Sequence, residues 1–495
     1  MSYARLTDRV KTREDLKNAS AILSWDDAVM MPPGGSDARA ESLATLASLS
    51  HEFLAAPETG ELIEAAREES LDPWDSANLQ HISRSHRRAK AVPSDLVSAI
   101  SRARSKCEQL WRDARGRHDW KSVRPLLETL FDLTRKKADC LAESAGVEPY
   151  DALIDTYESG VTQALIDPLF AKLKGALPSM IDDALARQRR VIPLGERFDE
   201  SKQLVLAREI MRGLGFDFDR GRLDLSHHPF CGGLPDDTRI TTRFGEGDFL
   251  QMLFATIHET GHALYQQGLP KAWRSQPVGA PCGQMLHESQ SLFMEMQVAR
   301  SRPFLEYARP VMLESFGIEE SDPAWSLDNL LAALTWVEKG RIRVEADEMT
   351  YPLHVVLRYE IERELMNERM RISDVPDAWN ESMDRYLGLD TRGDFKDGCM
   401  QDVHWYSGVF GYFPCYTLGA LAAAQFMRAM RNDLSDIAEN VGTGNFSYIT
   451  DWLRTNIHSW GCVEPGLEVL ERVTGDPLDE TAFLVHLQSR YLAGR

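Results

Sequence analysis

Residues 254–268 read FATIHETGHALYQQG, and His258-Glu259-Thr260-Gly261-His262 within them sets two imidazoles four apart, with a carboxylate after the first. On a helix, positions four apart lie one turn apart on a shared face, so both rings can reach one tetrahedral Zn²⁺. Glu259 falls about 100° further round, beside a metal-held water but not a ligand itself. Zinc lowers the pKa of such a water, and the glutamate can take its proton as it attacks a carbonyl. Hydrolysis of an amide bond is the chemistry this pattern suits, although the motif alone is short enough to arise by chance.

A zinc site needs a third protein ligand. The metzincin continuation would require glycine at 265 and histidine at 268, where this chain has Tyr265 and Gly268. The remaining common solution is a glutamate from a second helix. The apolar stretch PCGQMLHESQSLFMEMQVAR supplies Glu288 and Glu295, seven apart and on one helical face, and spacing leaves both open.

The elements that must carry these groups follow from periodicity. Asp248 and Gln251 form a plausible capping box for a helix starting near Phe249, and Gly268 with Pro270 beyond it is a stop. Leu250, Leu253, Phe254, Ile257 and Leu264 make its apolar stripe. Just upstream, DDTRITTRF alternates as a strand, with Thr238, Ile240, Thr242 and Phe244 facing one way and Asp237, Arg239, Thr241 and Arg243 the other. A strand beside a metal helix suits backbone pairing with a peptide laid along its edge.

Elsewhere helical spacing dominates. SKQLVLAREIMRGLG puts Leu204, Ala207, Met211 and Leu214 on one stripe, and LRYEIERELMNERM reads as a charged, exposed helix with acid–base pairs four apart. No repeat, low-complexity linker or Gly/Ser tract divides the 495 residues, so the expectation is one mostly helical domain over 1–495 with its active-site motifs within 228–416. An apolar fraction of 43% suits a buried core, and a net charge of −20 argues against a nucleic-acid or anionic-membrane partner. The polar amino terminus and seven scattered cysteines suggest a cytoplasmic protein with free thiols.

Several stretches together resemble the Taq-type (thermostable) zinc carboxypeptidases: HPF at 228–230, DTRIT at 237–241, HETGH, HESQS at 287–291, IRVEAD at 342–347 and GCMQDVHW at 398–405. ILSWDDAVMMPPGGSDARAESLATL and GYFPCYTLGALAAAQF extend the likeness from about residue 20 to the carboxyl end. The resemblance implies a mainly α, saddle-like domain with a deep central groove and a small β-sheet next to the zinc helix. It also implies a homodimer, peptide substrates, and Glu288 as the third ligand beside His258 and His262.

Removing one residue from a carboxyl end requires a fixed cation for the terminal carboxylate. On the family motif Arg343 is the first candidate; its ordinary alternative is a surface ion pair with Glu345 or Asp347. Arg239 is second, with a brace to Asp237 as its alternative. His404 and Tyr412, in an aromatic run with Tyr406 and Tyr416, are candidate donors to the oxyanion, Asp402 could orient a histidine, and His228 could line the cleft. The leading expectation is a zinc carboxypeptidase, with Co²⁺ or Mn²⁺ as possible alternatives to Zn²⁺. A zinc oligopeptidase or dipeptidyl-type peptidase is the runner-up, and a non-catalytic helical binding protein with an inherited metal site is a third reading.

Overall fold

The computed structural model describes residues 1–195, 198–244 and 249–493. It is mainly helical, with one three-stranded sheet among the described residues. The chain forms two compact units, one from Met1–Ala89, Arg190–Leu334 and Ala422–Leu478, the other from Lys90–Arg189, Thr335–Leu421 and Asp479–Arg495. No described helix is long and apolar enough to cross a membrane, and all seven cysteines are free thiols.

In the first unit the expected helix spans Phe249–Gly268. Leu253, Phe254, Ile257 and Leu264 are buried on it, as the stripe requires. It stops at Gly268, where an added Cβ would lie 2.6 Å from Nδ1 of the buried His458. The proposed Asp248 cap lies outside the described residues. Helix Glu200–Leu214 ends in the left-handed Gly215, and it buries Ala207, Met211 and Leu214 of the expected stripe.

The sheet consists of β1 (Gly221–Leu225), β2 (Phe230–Leu234) and β3 (Asp237–Thr242). β3 runs parallel to β1 and antiparallel to β2. Thr238, Ile240 and Thr242 are buried, in keeping with the alternation. Thr241 is buried as well, because its hydroxyl accepts from the Phe230 amide and the Ser226 hydroxyl. Ile240 and Leu223 pack with Met252, Ala263, Ala207 and Met211, which seats the sheet against the two helices. A 3.0 Å hydrogen bond between the Thr256 and Thr242 hydroxyls adds a polar link. The expectation of a peptide lying along β3 is corrected here. β3 is the middle strand, and β1 and β2 already occupy both of its edges. The outer edges belong to β1 and β2.

Helix Gly283–Leu292 crosses the Phe249–Gly268 helix and passes directly into a π-helical segment, Phe293–Ala299. The crossing is tight at Gly261. An added Cβ there would lie 2.5 Å from the Gln290 carbonyl oxygen and 2.6 Å from the Ser291 Cα. Backbone atoms on the facing helix cannot step aside as a flexible side chain would.

In the second unit, helix Tyr351–Met366 overturns the exposed reading of LRYEIERELMNERM. Arg358 and Glu362 are fully buried. Their charges find partners distant in sequence instead of each other. The Glu362 carboxylate accepts from Tyr150 Oη, Trp405 Nε1 and the Gly411 amide at 2.7–2.8 Å. Arg358 bonds Asp402 and Gln401. Buried charge is tolerated when it is hydrogen-bonded this fully.

Gly261→Ala should therefore destabilise the protein by about 1–3 kcal/mol, the usual cost of overpacking a tight contact. An unchanged denaturant midpoint would show that the two backbones do not meet there.

Candidate metal centre

His258, His262 and Glu288 each offer one ligand atom, and these atoms lie within 4.8 Å of one another. His258 Nε2 stands 3.8 Å from Glu288 Oε1, and His262 Nε2 stands 3.6 Å from Glu288 Oε2. Donors on a tetrahedral zinc with bonds near 2.1 Å are about 3.4 Å apart, so this set needs little adjustment to close on an ion. Two imidazoles and one carboxylate are also a known donor set of catalytic zinc.

The other ring nitrogens are tied down. His258 Nδ1 is 2.9 Å from Glu295 Oε2, and Glu295 Oε1 accepts from Arg300 Nη2 at 3.0 Å. His262 Nδ1 lies 3.0 Å from the His287 carbonyl oxygen. A carbonyl can only accept, so His262 carries its proton on Nδ1 and keeps the Nε2 lone pair for a metal. Outer hydrogen bonds of this kind fix the orientation and basicity of metal-ligating histidines.

Glu288 and Glu295, inseparable by spacing, thus sit on opposite sides of His258. An α-helix would put them on one face, but the chain changes to π-helix at Phe293, before Glu295. Such wide turns recur at functional sites.

Electrostatics follow from burial. Burial pushes the Glu259 carboxyl up to about 7; the His258 charge pulls it down, and Glu288 and Glu295 push it further up. Burial alone would lower His258, but the Glu295 hydrogen bond and the Glu288 and Glu295 charges outweigh it and hold the imidazole at about 10. His262 is held well below its ordinary value, first by burial and then by its two histidine neighbours. Without a metal the centre therefore keeps a proton on His258 but none on His262 Nε2.

The remaining sequence-predicted residues divide between the two units. In the first, Arg239 makes a two-bond pair with Asp237 at 2.9 and 2.8 Å and lies 4.2 Å from the Trp25 ring centroid, an arrangement that braces the strand. His228 is exposed, with Nδ1 2.8 Å from the Pro229 carbonyl oxygen. In the second, Arg343 is only 4% exposed. It pairs with neither Glu345 nor Asp347: Nε and Nη2 donate to Asp402 Oδ1 at 3.0 and 2.8 Å, and Nη1 donates to Tyr351 Oη at 2.8 Å. Asp402 thus holds arginines, where a histidine partner was expected. His404 Nε2 is 3.1 Å from Tyr416 Oη, and Tyr412 packs edge-on against Tyr157 at 5.1 Å. Sequence reasoning missed the roles of Glu295, Arg300, Arg358 and Gln401. Their only signal was charge or amide character, which spacing does not connect to a partner.

A buried His-His-Glu set with an adjacent buried glutamate defines a metal-dependent peptidase. The family described as Carboxypeptidase Taq (M32) metallopeptidase matches residues 5–491 of this chain. Thermostable carboxypeptidase 1 of Thermus thermophilus is 38% identical, covering 99% of this chain and 98% of its own. Among solved structures, Trypanosoma cruzi metallocarboxypeptidase 1 superposes with a TM-score of 0.96 at 38% identity, covering 99% of both chains. Pyrococcus furiosus carboxypeptidase superposes with 0.95 at 32% identity, also covering 99% of both. The chain belongs to this M32 family and is a metallocarboxypeptidase.

Two outcomes follow from the centre's hydrogen bonds. Glu295→Gln, which loosens His258, should weaken metal affinity by about 10–100-fold in a chelator competition; parental affinity would show that Glu295 does not support the ligand. Because His258 must lose a proton held up to about pH 10, apparent metal affinity should rise about tenfold per pH unit between roughly pH 7 and 9. A pH-independent affinity would contradict the protonated His258.

Proposed function

We propose that the chain removes single amino acids from the carboxyl end of peptides using a zinc ion held by His258, His262 and Glu288, with Co²⁺ or Mn²⁺ as replacements. The observation that carries this reading is the convergence of those three donors beside Glu259. Bound zinc would supply a polarised scissile carbonyl and a water of lowered pKa. Glu259 takes the proton from the attacking water and passes it to the leaving amine. Burial favours its neutral form, making it a stronger base than an exposed carboxylate.

Arg343 holds the terminal carboxylate, as its family motif suggests, with Arg239, paired with Asp237 on the strand, as the second candidate. His404 and Tyr412 serve as donors to the developing oxyanion, and His228 contacts substrate. The enzyme acts as a homodimer in the cytoplasm, on peptides and not on nucleic acid; family resemblance supports the dimer, and net charge supports the substrate class.

The test uses a dipeptide with a blocked amino terminus. Glu259→Gln should lower kcat by about 10²–10⁴-fold with metal content unchanged. Amidating the substrate's carboxyl end should remove most of the parent activity. Undiminished cleavage of the amide would instead identify an oligopeptidase or dipeptidyl-type enzyme.

A further inference from the structure

The second unit contains a charge arrangement that the ligand and base assignments do not use. Gln401 and Asp402, adjacent in GCMQDVHW, bracket two buried arginines. Asp402 Oδ1 accepts both bonds from Arg343, while Oδ2 accepts from Arg358 Nε at 2.7 Å and lies 2.5 Å from its Nη2. Gln401 Oε1 accepts from the Arg343 amide at 2.8 Å and from Arg358 Nη2 at 2.7 Å. The Gln401 amide is itself anchored, donating to the Arg341 and Asp397 carbonyls. Arg358 Nη1 donates to the His354 carbonyl at 2.6 Å, and its guanidinium lies 4.5 Å from the Trp379 ring centroid.

Two features of this set bear on substrate. First, it joins two cations to one anion. Glu362, one turn beyond Arg358, gives its oxygens to Tyr150, Trp405 and Gly411, so it does not bond the arginine. Second, Arg343 has five N–H donors. Among the described residues Asp402 and Tyr351 take three, which leaves one N–H on each of Nη1 and Nη2. Those two atoms form the end edge of the guanidinium, the geometry that receives a carboxylate with two parallel bonds.

We propose that Arg358 is a positioning residue for the carboxylate-binding arginine: by occupying Asp402 Oδ2 and offsetting its charge, it stops Asp402 from closing a full two-oxygen pair on Arg343. The proposal rests on the reading of Arg343 as the anchor for the substrate's terminal carboxylate. Without Arg358, a buried Asp402 would have Arg343 as its one hydrogen-bonded guanidinium partner and would offset its charge. A plain arginine–aspartate pair is a poor receptor for a second carboxylate. With Arg358 in place, Arg343 stays rigid, cationic and open along one edge.

The experiment compares a blocked dipeptide bearing a free carboxylate with its amide, using the metal-loaded parent, Arg358→Met and Arg358→Met/Asp402→Asn. Arg358→Met should raise KM for the free carboxylate on the order of tenfold, with kcat little changed and the amide rate unaffected. The double variant replaces the carboxylate by an amide that still accepts from Arg343 yet cannot neutralise it, so most of the parental preference should return. Equal losses on both substrates, or a double variant no better than the single, would overturn the positioning role and leave the anchor intact. A parent that does not distinguish the two substrates would overturn the anchor itself. If Arg358→Met does not fold, Arg358→Gln, which keeps a hydrogen-bond donor beside Asp402 without the charge, decides instead: a KM raised only for the free carboxylate supports the proposal, and a parental KM refutes it.

Discussion

At Gly261 the Phe249–Gly268 helix meets the Gly283–Leu292 helix with no room for a side chain, because a Cβ would strike the Gln290 carbonyl and Ser291 Cα. The metal centre depends on this approach. His258 and His262 flank the contact on one helix, and Glu288 faces them from the other at 3.6–3.8 Å. The same approach brings the His287 carbonyl to His262 Nδ1 and Glu295 to His258 Nδ1. A single small residue lets one helix supply the first two ligands while its neighbour, with the π-helical segment that continues it, supplies the third ligand and both outer hydrogen bonds. The sheet supports the far side through Ile240 and the Thr242–Thr256 link.

The two units bury charge on different terms. Around the metal centre, acids outnumber the bases able to neutralise them. Burial holds Glu259 high, and Glu288 with Glu295 keeps a proton on His258. A divalent cation held by His258, His262 and Glu288 would relieve that imbalance in place of the proton, which links metal affinity to pH. In the second unit Asp402 is paired with two guanidinium groups. Asp402 is held far below the usual carboxylate range: Arg343 and Arg358 overcome the upward push of burial. A buried carboxylate with two guanidinium partners is therefore ionised at neutral pH.

Legibility in the sequence varied with the range of the interaction involved. The helix over 249–268 and the alternation in β3 follow from local periodicity, and both formed as expected. Which glutamate completes the ligand set did not follow from spacing, because the π-turn after Leu292 removes the periodicity that spacing relies on. The middle position of β3 was equally hidden, since strand order depends on partners rather than on the strand's own residues. The largest misreading, the exposed helix at LRYEIERELMNERM, has the same cause. Arg358 and Glu362 look like solvated charges until Asp402, Gln401, Tyr150 and Trp405 arrive from elsewhere in the chain.

The central claim is that one catalytic metal sits between His258, His262 and Glu288, with Glu295 bonded to the far side of His258. Anomalous diffraction at the zinc edge from crystals of the metal-loaded protein tests it most directly. The account predicts one strong peak about 2.0–2.2 Å from His258 Nε2, His262 Nε2 and a Glu288 oxygen, with Glu295 still on Nδ1. A peak coordinated by Glu295 in place of Glu288, or none between the two histidines, would contradict it.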